Sequence, residues 1–208
     1  MKRSLACALV VATIAGSTLT GCISPRSFVD PSMPKVAYED LRKRSEPLRL
    51  KVAVEFQRNG THLPRVDAAL RDHAERTLRA TGLVQPVEAQ EVGDISITVN
   101  NLGDVGQAAA KGFGTGLTFG LVGSTVMDAY EMTVVMTVNG RQIRRSAVKH
   151  ALYTAIGNTT LPEGVETVPP GVAFGKVVEQ LLLRTLRDMQ RSDELSAVQV
   201  LPALRRAS

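Results

Sequence analysis

Asn139-Gly140, set between two runs of alternating apolar residues, constrains this chain more than any other pair of neighbours. Upstream, Tyr130, Met132, Val134, Met136 and Val138 share one face of an extended strand, because successive side chains point to opposite sides. An Asn-Gly pair supplies the positive φ angles of a two-residue hairpin turn, so an antiparallel return strand must follow. Such a turn pairs Met136 with Ile143. The later apolar set, Val148, Leu152 and Ile156, has the opposite parity, which a single register cannot satisfy. One extra residue within Arg144 to Ala147, a β-bulge, restores the alternation.

The same periodicities organise the rest. Leu48, Leu50, Val52, Val54 and Phe56 alternate with polar residues and mark a half-buried strand that Asn59-Gly60 ends. Pro64 suits the first turn of a helix, and Val66, Leu70, His73, Ala74 and Leu78 then recur at helical spacing as far as Gly82. Ile95, Ile97 and Val99 trace another strand, which leads into a Gly-rich region. A long polar loop runs from Gly157 to Pro170, and beyond it Phe174, Val178, Leu181, Leu182 and Met189 form a second helical stripe. The order predicts an α+β fold: a two-layer sandwich with an antiparallel or mixed sheet of about four strands and two helices on one face.

The N-terminus is of another kind. Lys2 and Arg3 precede an apolar run from Leu5 to Ala15, too short to span a bilayer, and a small-residue zone from Gly16 to Gly21, as in a secretion signal. The run closes on Leu19-Thr20-Gly21-Cys22, which resembles the lipobox of bacterial lipoproteins. That resemblance implies that residues 1–21 are removed and that Cys22 is acylated on its thiol, palmitate being one acyl group, and on its new amine. A multiply acylated cysteine binds a membrane stably, since each buried methylene contributes about 0.8 kcal/mol. In this class an aspartate after the cysteine retains the protein at the inner membrane. Ile23 stands there instead, which implies the outer membrane and a domain facing the periplasm.

Pro25, Pro31 and Pro34 read as an extended, acylated tether over residues 22–37. The expected organisation is then a folded domain over 38–191, a Gly-rich insert at 103–127 within it, and a flexible tail at 192–208. Cys7 leaves with the signal, so disulfides and cysteine-metal clusters are excluded and no cofactor is expected. The formal charge of +5 falls when Lys2 and Arg3 are removed, and such mild basicity does not argue for nucleic acid.

The order of elements is similar to that of periplasmic domains of several envelope lipoproteins, including the curli-secretion channel lipoprotein. Gly112 to Met127, followed by Asp128-Ala129-Tyr130-Glu131, is similar to a stretch in uncharacterised lipoproteins of Gram-negative bacteria. These resemblances imply a fold and an address, and carry no activity.

Candidate chemistry is thin. Ser146-Ala147-Val148-Lys149 matches the S-x-x-K pattern of penicillin-binding proteins, where a helix turn brings the lysine to the serine. Here the match falls on a strand and has no S-D-N or K-T-G partner, so it reads as accidental and no catalytic residue is assigned. His62, His73 and His150 lack metal-ligand spacing, and Asp72 and His73 are neighbours in sequence rather than on one helix face. His150 shares a strand face with Val148 and Leu152 and reads as a core histidine. Two basic clusters, Arg42-Lys43-Arg44 and Arg141, Arg144, Arg145 with Lys149, are candidate contacts for lipid phosphates. With three tyrosines, five phenylalanines and no tryptophan, stacking platforms for bases or sugars have little material.

Ala108, Gly112, Gly116, Gly120 and Ser124 repeat every fourth residue, and no charge falls between Lys111 and Asp128. Small residues at that spacing let backbones approach closely. Gly112, Gly116, Gly120 and Ser124 are therefore candidate interaction residues. Three functions follow. The first expectation is a non-enzymatic binding or assembly module anchored at the outer membrane, with an envelope protein or a second copy of itself as partner. The alternatives are an oligomeric secretion or pore component that inserts the Gly-rich segment into the membrane, and a periplasmic serine hydrolase.

Overall fold

The computed structural model describes residues 25–89, 91–103, 124–156 and 161–195. Within them a mixed sheet carries seven strands: β1 (Arg26–Val29), β2 (Leu48–Arg58), β3 (Thr61–His62), β4 (Val84–Val87), β5 (Gly93–Leu102), β6 (Ser124–Val138) and β7 (Arg141–Ile156). Two helices, α1 (Asp67–Thr81) and α2 (Pro170–Arg191), complete the α+β fold. The strands lie in the order β1-β7-β6-β5-β2-β3, with β4 also paired to β2. β2 runs parallel to β5 and β4, while the other pairs are antiparallel.

The expected hairpin is present, with its bulge. Asn139 and Gly140 take φ of 50° and 80°, and Met136 faces Ile143. Between the pairs Val134–Arg145 and Met132–Val148, Thr133 alone opposes Ser146 and Ala147, and Ala147 adopts a φ of 57°. This extra residue turns Val148, His150 and Leu152 back to the face of Met132 and Val134.

That face carries the main core. Leu50, Ile95, Ile97, Met132 and Met136 are fully buried beneath Leu70, Ala74 and Leu78 of α1 and Val178, Leu181, Leu182 and Met189 of α2. Burial of each large apolar side chain contributes roughly 1.5–3 kcal/mol, which sets this layer as the dominant stabilising term. Gly82, with φ of 67°, ends α1 by donating its N–H to Arg79. α2 opens at Pro170, whose missing N–H costs nothing in a first turn. The opposite face holds a smaller apolar cluster of Leu102, Ala129 and Ala151 with Met33 and Met127, and near it Phe28 stacks on Tyr153 at 5.3 Å.

Several expected boundaries are corrected. The sheet has seven strands rather than about four, because β1, β3 and β4 are too short to show a period. The tether expected over 22–37 contains β1, which pairs with β7, and Val36 is buried in the core. Pro25 and Pro31 flank this edge strand without entering it, so neither removes a ladder hydrogen bond. The Gly-rich insert does not reach 127, since Ser124–Met127 already pair with β7 in β6. The tail does not begin at Ser192, because Leu195 is buried.

Candidate functional site

The end of β1, β7 and α2 enclose a cavity of about 310 Å³ lined by Asp30, Lys35, His150, Glu166, Lys176 and Glu179, among others. The sequence builds it from local rules. Asp30 extends the β1–β7 ladder by donating its N–H to Ala151, and its carboxylate accepts the N–H and hydroxyl of Ser32 at 2.9 and 2.7 Å, an Asx turn around Pro31. Gln180 of α2 then pins the following segment, accepting the N–H of Val36 and donating to its carbonyl. Lys176 and Glu166 form an ion pair at 2.9 Å across the cavity wall.

His150 reaches this cavity only because the bulge at Ser146–Ala147 resets its face. It is 1% exposed, and its Nδ1 lies 2.9 Å from the backbone nitrogen and 3.1 Å from the carbonyl oxygen of Ala151. Burial lowers its pKa, assisted by the charge of Arg184 and opposed by the contact with Ala151 and by Asp30. The cavity is thus lined by one buried imidazole and one buried carboxylate, that of Asp30. Ser146 is exposed four residues back along β7, on the order of 10 Å away, so the serine and histidine named from sequence are not brought together. Ser146 and Lys149 also lie on a strand, not on the helix turn that an S-x-x-K site uses. Among the described residues no group of three His, Cys, Asp or Glu side chains could hold a metal ion.

The two basic clusters do meet, around the turn Ser192–Leu195. Arg42 donates to the Gln190 carbonyl and lies 3.8 Å from Asp193, while Arg44 donates to the Leu195 carbonyl. Arg145 donates to Ser192 at 2.7 Å and pairs with Glu194 at 2.5 Å. Burial alone would raise the Glu194 carboxyl, but its bonds to Arg145 and Ser192 hold it below the usual range. These arginines hold the turn that follows α2, with Arg145 tying it to β7. Arg141 and Arg144 remain exposed, and Lys149 stands eight residues beyond Arg141, roughly 25 Å along the strand, so the four do not form one anionic contact.

No protein-family model matches the chain, and no curated protein matches it. Among solved structures it is similar to a PelC dodecamer from Paraburkholderia phytofirmans, at 18% identity and a TM-score of 0.31, over 68% of this chain and 92% of that one. Overlap of that degree leaves the functional reading to the residues themselves.

Of the remaining candidates, Cys22, Gly112, Gly116 and Gly120 lie outside the described residues. Ser124 opens β6 opposite Ile156, so a helical repeat cannot include it. Sequence reading missed Asp30, Lys35, Glu166, Lys176 and Glu179. No spacing in the chain unites residue 30 with residues 150 to 179; the pairings of Asp30 with Ala151 and of Ser27 with Val168, and the bonds of Gln180 to Val36, do.

Proposed function

We propose that the chain is an outer-membrane lipoprotein that works without chemistry of its own, as a binding or assembly module held close to the lipid. The observation that carries this reading is the position of β1. Its first residue, Arg26, follows Cys22 by four positions and already pairs with Ala155. An acylated Cys22 would therefore hold the folded sheet within about 14 Å of the lipid, the reach of four extended residues. No helix among the described residues is long and apolar enough to cross a membrane, which leaves the acyl chains as the anchor this reading needs. Cys22→Ser tests it. The variant should accumulate as an uncleaved precursor without palmitate, and unchanged palmitate labelling would defeat the anchor.

A second reading, a secretion or pore component, is favoured by one observation. The chain leaves the sheet at Gly103 and re-enters at Ser124, toward the end at which Arg26 opens β1, so segment 104–123 joins the fold on the anchor side. Ring-shaped assemblies of the detergent-extracted protein, lost in Gly116→Leu, would support it, whereas a monodisperse monomer would remove it.

A further inference from the structure

The fold leaves two polar atoms unanswered in the cavity beside α2. Asp30 takes both bonds from Ser32 on Oδ1, and its Oδ2 accepts none among the described residues. His150 turns Nδ1 toward the Ala151 backbone, and its Nε2 meets no partner there either. Neither atom is sealed in, because the enclosed side-chain N and O atoms without a partner, among the described residues, are the Nε of Arg184 and of Arg187. Yet the two residues are 5% and 1% exposed, and both line the same cavity, so their free atoms open onto it. Buried polar groups are nearly always bonded. Two open ones facing about 310 Å³, the lower end of small-ligand pockets, mark a place for a guest rather than a packing gap.

Charge decides the guest. The deep charged group is the Asp30 carboxylate, which makes no ion pair among the described residues. The cations stand toward the mouth: Lys35 is exposed, and Lys176 is partly exposed and already answered by Glu166. Glu179 holds the hydroxyl of Tyr38. Burial, helped by the charge of Arg184, keeps the His150 imidazole below its ordinary pKa, so at neutral pH it adds no positive charge. An anion entering the cavity would meet an unpaired carboxylate. An ammonium supplies both the counter-charge and the N–H donors that Oδ2 lacks. Val29, Val165 and Val168 add an apolar wall.

We propose that this cavity binds a small molecule through a primary ammonium group seated on Asp30, with a short aliphatic body against Val29, Val165 and Val168. The site does not depend on an anchor at Cys22. Lys35 and Lys176 at the mouth suit an anionic group on the same guest, so a free amino acid and a phosphoethanolamine headgroup share the chemistry. The test is a titration of the detergent-extracted protein, carrying isotope-labelled histidine, followed through the imidazole resonances. Propylamine should shift the His150 signals saturably, while propanol, of similar shape without the charge, and acetate should not. Asp30→Asn keeps an oxygen for the Ser32 turn but removes the charge, and should weaken propylamine by about tenfold or more. Tighter binding of phosphoethanolamine than of alanine would name a lipid headgroup as the source, and the reverse a free amino acid; either supports the site. Equal responses to propylamine and propanol, a preference for acetate, or undiminished binding in folded Asp30→Asn would overturn it. If Asp30→Asn does not fold, the contrast between propylamine and propanol in the native protein decides alone. No response to any amine would leave the cavity to water and defeat the proposal.

Discussion

The carboxylate of Asp67 accepts the backbone N–H of Phe56 at 2.8 Å and so closes an edge of β2 that no strand covers. On that edge β4 pairs only Leu48 to Lys51 and β3 only Gln57 and Arg58. In the gap Asp67 takes the Phe56 donor, and Arg71, one helical turn on, donates to the Val52 carbonyl at 2.6 Å. Open strand edges invite pairing with other chains, and here two side chains of α1 occupy the place of a strand. Asp67 also accepts from His62 at 2.7 Å. Burial alone would raise its pKa, but Phe56, His62 and Arg71 together hold it below the ordinary carboxylate value.

Asp67→Ala should therefore lower the unfolding free energy by about 1–3 kcal/mol, the usual cost of orphaning a buried donor, as read from urea denaturation. Because the folded pKa is depressed, the charged contribution is present above the unfolded value of about 3.9 and is lost as pH falls through the lower folded value. The difference between wild type and variant should shrink toward pH 2. A difference that is the same at pH 2 and pH 7 would show that the bond to Phe56 does not depend on the charge.

None of this edge was legible, because an acidic residue in a first helical turn reads as an ordinary helix start whatever it touches. Legibility followed local period. The turn at Asn139-Gly140, the Met136–Ile143 pair and the bulge came from parity within one hairpin, where each partner lies a few residues away. β1 and β4 are four residues each and gain strand character only from partners that no local pattern reveals. The face of His150 was readable for the same reason as the bulge. Its companions Asp30 and Glu179 were not, since they arrive by edge pairing and helix packing.

All three tyrosines have raised pKa values. Burial raises Tyr38, with Glu179 adding to it; burial raises Tyr130, with Asp128 adding; and burial, with Asp30, pushes Tyr153 up to about 12. The chain has no tryptophan, so its near-ultraviolet absorbance reports tyrosine without interference. Their share of stability is whole below the unfolded value of about 10 and is lost as pH rises from there toward the folded values. Alkaline titration should show little tyrosinate near pH 10, then a rise that coincides with loss of the circular-dichroism signal. Full ionisation centred at pH 10 in a protein still folded would contradict the burial of these rings.

Gly93 meets the β5–β6 ladder where no side chain fits. A β-carbon there would stand 1.9 Å from the Thr137 carbonyl oxygen, a backbone atom that cannot move without breaking the register. Gly93→Ala should cost about 3 kcal/mol or more, at the upper end of overpacking. Gly140 is the control, since its surroundings are open and only its φ of 80° resists a side chain. Gly140→Ala should cost about 1–2 kcal/mol. Equal losses in the two variants would mean that the ladder yields at Gly93.

Ala147 tests the bulge with a substitution of the opposite sign. Its φ of 57° lies in the left-handed region, where a β-carbon costs roughly 1–2 kcal/mol. Glycine removes that cost but returns about 0.5–1 kcal/mol through the greater freedom of the unfolded chain. Ala147→Gly should therefore stabilise the protein by about 0.5–1 kcal/mol, although a glycine placed inside a regular strand does the reverse. Ala151, buried in the same strand and paired with Ala129, supplies that comparison: Ala151→Gly should destabilise. If both variants lose stability to the same degree, β7 runs without a bulge at Ala147. In that case the parity of His150 fails, and with it the wall of the cavity that the histidine lines.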